Sequence, residues 1–393
     1  MNRIYLDNAA TSWPKPEEVY TAVDRYLREN GAPAGRSTYS QATEVEGTIA
    51  AARAALARLI GAQNPRQVIF AGNGTDAINL AIHGLLQSGD HAICTAADHN
   101  SVLRPLRYLE DRRQIEVTRV PCDGAGWVDP DDIRRALRPN TRLVAMTHAS
   151  NVTGTIEPVA EVGLIVQQHG ARFLLDAAQS LGHLPLDVEE LHADFLAAPG
   201  HKGLLAPLGT GVLYIKPGLE CQLQSVRQGG TGTGSGQDRQ PDSLPYKFES
   251  GNHNVVGLVG LAASLRWLES HGILAIRDHQ QQLADKLRHG LRQIPGVILH
   301  GPSGSGDVAD KAAAAVGVVS ISMEGYDPQE AAAALDANFG IQVRAGLHCA
   351  PLIHQAMGTF QRGGTVRFSI GAFNTTEHIE AAIAAVKKIA QPI

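Results

Sequence analysis

Cysteine is scarce in this chain, with four residues in 393, and Cys94, Cys122, Cys221 and Cys349 are too scattered to form a C-x-x-C motif or a close pair. That spacing argues against a disulfide framework or a zinc site and makes a reducing cytoplasm the expected compartment. A basic excess is missing too. The formal charge is −5 and the sequence pI is near 6.3, which disfavours nucleic acid as a partner and fits a small-molecule substrate. The longest apolar stretch, around residues 255–265, is broken by glycine and falls short of the ~18 residues that a membrane span needs. The opening Met1-Asn2-Arg3-Ile4-Tyr5-Leu6-Asp7 has no apolar signal core, so a soluble, unsecreted, cytoplasmic protein is expected. Sixteen histidines are present without H-E-x-x-H or another helical ligand spacing, and no metal is expected.

What is there is length and rhythm. A chain of 393 residues exceeds what one core usually serves, so one large and one smaller domain is the expectation. From about residue 16 to 255 an amphipathic helix, a short apolar strand and a polar or glycine-bearing turn recur, the pattern of a mostly parallel sheet wrapped by helices. Strands are predicted at 67–70, 91–95, 115–120, 143–147, 173–175, 195–197 and 211–215, seven in all, and a helix at 48–60. Residues 229–243, rich in Gly, Thr, Ser and Gln, read as a long mobile loop, either an active-site cover or an inert surface segment. Beyond 255 the pattern changes to helices at 258–270 and 275–293, strands at 316–322 and 340–344, and a terminal helix at 376–390. This reads as a smaller α+β domain formed by 1–15 and 256–393. Residues 303–310 look like a flexible insertion, and the alanine run at 312–315 looks structural.

In open α/β sheets, ligands gather at the carboxyl ends of the strands. Lys202, in Ala198-Pro199-Gly200-His201-Lys202-Gly203, follows one such strand, and Asp176 closes the apolar run before it. A lysine in a glycine loop is by itself usually a solvated charge. An aspartate ending a buried strand, however, needs a cationic partner. A pyridinium nitrogen would be one, and a lysine amine can link to an aldehyde, which together describe pyridoxal phosphate. Asp176 could also cap a following helix. Gln179 lies within reach of the same ring. Gly72-Asn73-Gly74-Thr75-Asp76 sits at a strand-to-helix junction suited to a phosphate; as a dinucleotide fingerprint it lacks the third glycine. His99 can stack on a ring and shuttle protons, or be structural. Asn151 can touch cofactor or substrate, or close an Asx turn. Cys349 follows Arg344 and His348 in a glycine-bearing stretch, a setting that favours a nucleophilic thiolate over an inert buried thiol. Arg367 can clamp a carboxylate with its planar fork, or form a strand-edge salt bridge.

As an ordered set, Tyr5-Leu6-Asp7-Asn8-Ala9-Ala10-Thr11, Gly74-Thr75, His99, Asn151, Asp176-x-x-Gln179, Gly200-His201-Lys202, Arg344-x-Gly346-x-His348-Cys349 and Arg367 resemble the class V aminotransferase family of fold type I pyridoxal phosphate enzymes, and within it the cysteine desulfurases. The resemblance implies a homodimer. It makes Lys202 the Schiff-base lysine, Asp176 the pyridinium partner, Gln179 the phenolic-oxygen contact and His99 the stacking ring. Gly74, Thr75 and His201 would serve the phosphate, Asn151, Arg344 and Arg367 the substrate, and Cys349 would accept sulfur as a persulfide while L-cysteine becomes L-alanine. The short segment between Cys349 and Arg367 resembles the subgroup that passes sulfur to a separate acceptor protein. Two positions depart from the family. Asn252 stands where a threonine often reaches the partner subunit's phosphate, although an amide can still donate. Gly74 stands where a hydroxyl residue is frequent. Selenocysteine or cystine lysis on the same scaffold is the nearest alternative; an aminotransferase or a non-catalytic nucleotide-binding α/β protein is more distant.

Overall fold

A computed structural model describes residues 3–35, 37–113, 115–233, 236–302 and 315–390. The expected insertion at 303–310 and most of the alanine run lie outside them. In chain order the first part comprises β1 (Ile4–Tyr5), α1 (Glu17–Arg25), α2 (Ser40–Leu59), β2 (Val68–Ala71), α3 (Gly74–Leu85), β3 (His91–Thr95), α4 (Asn100–Arg113), β4 (Glu116–Val120), α5 (Pro130–Ala136), β5 (Thr141–Thr147), α6 (Val159–His169), β6 (Arg172–Asp176), β7 (Phe195–Pro199), β8 (Gly211–Ile215) and α7 (Val255–His271). There follow α8 (Ile273–Arg292), β9 (Val297–His300), β10 (Val318–Met323), α9 (Pro328–Phe339), β11 (Ile341–Gln342), β12 (Arg344–Gly346), α10 (Pro351–Ala356), β13 (Thr365–Ser369) and α11 (Thr376–Ile389).

The seven-stranded sheet has the order β2-β8-β7-β6-β5-β3-β4, and only β8 runs against the rest. Apart from the edge strand β4, its strands read as largely apolar runs because both faces are covered. Phe173 and Leu175 belong to the core that includes α2, α6 and α7, whereas Leu174 belongs to the core shared with α3 and α4. The period of two in a strand divides the apolar residues between these helical layers. A third core forms on the four-stranded antiparallel sheet β12-β13-β10-β9 and its helices α8, α9 and α11.

The single strand expected at 340–344 is two strands in different sheets: β11 pairs in parallel with β1, and β12 pairs antiparallel with β13. Neither α9 nor β9 is among the elements expected from the sequence. The alanines of α9 blur its faces, since only Pro328, Ala331 and Leu335 are buried, and β9 is a half-exposed edge strand. The helix expected at 48–60 begins eight residues earlier, at Ser40, with Ala42 and Val45 already buried. α7 packs on α1 and α2, and Leu258, Leu261, Leu265 and Leu268 join the large core. We therefore propose the boundary between the two parts at Gly272 rather than at residue 255.

One buried ion pair ties α2 to the sheet edge and to the segment before α7. Arg53 donates from Nη1 to Glu249 Oε1 at 2.6 Å and from Nη2 to Oε2 at 2.9 Å. The Phe70 N–H donates to Oε1 at 2.7 Å, and His253 Nε2 lies 3.2 Å from Oε2. Burial opposes ionisation of Glu249, but Arg53 and His253 outweigh it and hold its pKa below the ordinary value. Glu249→Ala leaves the guanidinium buried without its partner, so a loss of about 3–5 kcal/mol is expected in urea unfolding. A loss below about 1 kcal/mol, typical of a surface pair, would contradict this account.

Candidate active site

The chemistry-bearing residues follow the carboxyl ends of neighbouring strands. Gly74 and Thr75 come after β2, His99 after β3, Asn151 after β5 and Lys202 after β7, and Asp176 ends β6. β6 and β7 are adjacent and parallel, with Asp176 opposite Ala197, which carries Asp176 and Lys202 to one place. Both line a cavity of about 230 Å³ together with Gln179, His201, Arg344 and Arg367. Gly74, Thr75, His99 and Asn151 line it as well. Cys349 is exposed and lines an adjoining groove of about 980 Å³ that shares Thr75, His99 and Ser101 with the cavity. Asn252 is exposed and lies outside both.

Asp176 is 2% exposed and accepts one hydrogen bond, from the Ala178 N–H at 2.9 Å. No helix follows; Ala178 to Ser180 form a turn, so the aspartate closes an Asx turn rather than capping a helix. Burial raises its pKa, opposed by the Ala178 N–H and by Lys202. Burial likewise lowers Lys202 to about 8, with Asp176 working against the shift. A buried carboxylate with one N–H partner suits an added cation, and a lysine poised near neutrality can act as nucleophile and base.

His99 Nδ1 accepts the Ser101 N–H at 3.0 Å and lies 2.8 Å from Ser101 Oγ, which in turn is 2.7 Å from Thr75 Oγ1. A backbone N–H can only donate, so the neutral ring carries its proton on Nε2. Burial, then the positive charge of Lys202, lowers its pKa to about 4. Asp98, fully buried beside it, accepts the N–H groups of Thr95 at 2.6 Å and Thr147 at 2.7 Å, binding the tips of β3 and β5 together. Neither Ser101 nor Asp98 is marked by sequence spacing, although both sit within two residues of His99.

The end of the cavity at the α3 N-terminus is set by packing. Asn73 caps α3 by accepting the Asp76 N–H at 2.9 Å. A Cβ on Gly74 would lie 3.0 Å from Pro199 Cδ and 3.1 Å from Pro199 N. That close approach of β7 leaves little room for a side chain at this position. His201 presents a buried Nδ1 without a partner among the described residues, and burial lowers its pKa to about 4. Its carbonyl is gripped by Thr11 Oγ1 at 3.2 Å and by the Ser12 N–H, Ser12 Oγ and Lys15 Nζ at 3.0 Å each. Sequence reasoning passed over Lys15, whose pKa burial lowers to about 8.

The cysteine loop is held in a costly shape. His348 and Cys349 have φ of +50° and +61°, a left-handed conformation that L residues adopt at a cost of order 1–3 kcal/mol each. The surroundings enforce it. Asn151 Nδ2 donates to the His348 carbonyl at 2.7 Å, the Asn100 N–H donates to the Cys349 carbonyl at 2.7 Å, and His348 Nε2 donates to the Thr365 carbonyl at 3.1 Å. The Asn151 amide thus engages the cysteine loop, and the turn after it is closed instead by Ser150 Oγ, which accepts from Val152 and Thr153. Arg344 Nη2 approaches Cys349 Sγ to 3.4 Å, so this arginine meets the thiol as well as the cavity. Arg367 lies in the centre of the small sheet, between β12 and β10, rather than at an edge.

Comparisons with known proteins agree with this geometry. Residues 4–382 match the family model described as aminotransferase class-V. A probable cysteine desulfurase from Methanothermobacter thermautotrophicus is 36% identical over 385 residues, covering 96% of this chain and 92% of the relative. Among solved structures, the apo cysteine desulfurase from Thermococcus onnurineus NA1 superposes with a TM-score of 0.89 at 32% identity, covering 99% of this chain and 94% of that one. An Escherichia coli cysteine desulfurase in its S-sulfonic acid form gives 0.86 at 28% identity, with 98% and 94% covered. Because these matches run through the strand tips, the lysine loop and the cysteine loop alike, the chain belongs to the class-V aminotransferase family.

Proposed function

We propose that this protein is a pyridoxal phosphate-dependent cysteine desulfurase that converts L-cysteine to L-alanine and takes the sulfur onto Cys349 as a persulfide. The observation that carries the reading is that Lys202 and Asp176 line one cavity whose neighbouring groove holds an exposed cysteine. The residues fit the cofactor: among the described residues, a buried carboxylate accepts a single N–H and a buried imidazole nitrogen has no partner. Asp176 would hold the ring nitrogen, Gln179 the phenolic oxygen, His99 the ring face, and Thr75, His201 and the α3 N-terminus the phosphate. Gln179 already donates from Nε2 to the Ala9 carbonyl at 3.0 Å, which leaves its second amide N–H for the cofactor. When bound, the cofactor supplies a covalent attachment point and an electron-withdrawing ring.

The chain's own groups do the rest. Arg367 binds the substrate carboxylate, with Arg344 and Asn151 beside it. Lys202 Nζ removes the Cα proton as general base. Cys349 Sγ then attacks the substrate sulfur: the S–S bond forms as the C–S bond breaks, the carbon keeps the bonding pair and takes up a proton, and Lys202 Nζ returns a proton to Cα to complete alanine. Arg344, 3.4 Å from Sγ, donates to the attacking thiolate. Asn252 is the residue we assign to a contact with the partner subunit's phosphate in a cytoplasmic homodimer, and a separate protein thiol is the final acceptor. Among the described residues no helix is long and apolar enough to cross a membrane. The test is product analysis. Reconstituted protein with L-cysteine and excess reductant is expected to give alanine and sulfide in equal amounts. Pyruvate and ammonia in place of alanine would indicate a lyase, and transfer of the amino group to an added keto acid would indicate an aminotransferase.

A further inference from the structure

Asp7 belongs to no strand and bears no obvious chemistry, yet its Oδ1 accepts a hydrogen bond from Arg367 Nη2 at 2.7 Å across 360 positions of sequence. The placement is built rather than incidental. Asp7 bridges Ser369 of β13, Asn8 Nδ2 donates to the Ser369 carbonyl at 3.0 Å, and the Ala9 N–H donates to Ser369 Oγ at 2.9 Å. Residues 7–9 are thus laced along the strand that carries Arg367. That arginine is fully buried, whereas the Asp7 side chain is 21% exposed.

A guanidinium has five N–H groups. In Arg367, Nη2 serves Asp7, Nη1 donates to the Asn151 carbonyl at 3.0 Å, and the buried Nε has no partner among the described residues. The group therefore enters the cavity wall half committed: one carboxylate already on it, and a buried donor still unmatched. A second carboxylate arriving there meets an oriented fork, and it also meets the negative charge of Asp7. Orientation favours binding, because less freedom is lost. The standing charge opposes it, because two carboxylates share one cation.

We propose that Asp7 is a positioning residue for Arg367 and the group that limits how tightly the cavity holds an α-carboxylate, so that alanine, which carries the same carboxylate as cysteine, is released rather than retained. This rests on the desulfurase reading for the identity of the product, but not for the binding it predicts.

The experiment is calorimetric titration of the holoenzyme with L-alanine and, as the ligand lacking a carboxylate, L-alaninamide. Asp7→Asn keeps an oxygen acceptor for Nη2 and removes the charge, so the alanine dissociation constant should fall at least about fivefold while that of alaninamide stays put. Asp7→Ala removes both, frees the fork, and should raise the alanine constant. An Asp7→Asn constant that is unchanged or higher overturns the proposal, as do parallel shifts for the two ligands, the mark of a merely structural role. An Asp7→Ala constant that falls with that of Asp7→Asn overturns the positioning part. If either variant is too unstable to titrate, the rise in melting temperature that alanine produces over alaninamide in the same protein reads the same difference. Wild type that binds alanine as expected but yields no sulfide from cysteine would remove the desulfurase reading and leave this comparison standing.

Discussion

Lys202→Ala is expected to reduce sulfide release from L-cysteine by at least the ~10²–10⁴-fold that a positioned general base contributes, and to abolish covalent attachment of the cofactor. Lys202 is the amine that shares a cavity with the buried Asp176, and it is drawn down to about 8 by burial. Treating the reconstituted wild type with borohydride should add the cofactor's mass less one oxygen to the peptide containing Lys202, since water leaves and two hydrogens are added, and in the variant to no peptide. Only the neutral amine reacts. The initial rate of covalent capture by cofactor-free wild type should therefore rise about tenfold per pH unit on the acid side of about pH 8 and flatten above it. A label on another lysine, or a capture rate that keeps climbing to the pKa of an ordinary lysine, would show that the wrong amine has been identified. Asp176→Ala is expected to spare the label and weaken cofactor retention, since it removes the carboxylate and leaves the lysine.

Cys349→Ala should bring sulfide release from cysteine to the level of protein-free buffer while leaving cofactor attachment, and binding of cysteine, intact. The geometry separates these functions. Cys349 lies in the outer groove with Arg344 at 3.4 Å from Sγ, whereas Lys202 and Asp176 lie in the inner cavity. Mass spectrometry of the wild type after one turnover should find a single added sulfur on the Cys349 peptide. Undiminished sulfide from the variant would eliminate the persulfide step. Loss with cysteine, but survival with selenocysteine, would mean that the weaker carbon–selenium bond breaks without the thiol and that sulfur is the demanding substrate. The strained backbone at His348 and Cys349 adds a structural reason for the sensitivity: the carbonyl contacts from Asn151 and Asn100 hold the thiol at the mouth of the cavity. Small shifts of that loop move the nucleophile away from a reaction that depends on near-contact distances.

Much of the site was legible because each strand brings its chemistry with it. β6 ends in Asp176 and β7 is followed within three residues by Lys202, and a parallel sheet sets consecutive strand tips side by side. The apolar runs of β3, β5 and β8 were recognisable for a related reason, since burial on both faces favours apolar residues along the strand middles and leaves polar ones such as His91, Thr95, Thr141 and Thr147 at or near the ends. Other features were illegible because nothing local encodes them. The alanines of α9 and the edge position of β9 carry little contrast between buried and exposed faces. The stretch 340–344 has the composition of one strand but divides between two sheets, because β1 from the far end of the chain takes Ile341 and Gln342.

Local order in this chain follows from the periodicity of apolar residues, and the lysine and carboxylate proposed to hold the cofactor lie where that order stops, at the tips of two consecutive strands. The orientation of Arg367 by Asp7, the grip of Thr11, Ser12 and Lys15 on His201, and the pinning of the cysteine loop by Asn100 and Asn151 were decided only by tertiary structure. These contacts span roughly 190 to 360 residues of sequence. Groups so far apart along the chain meet only in the complete tertiary structure, and no spacing rule along the chain reports those contacts.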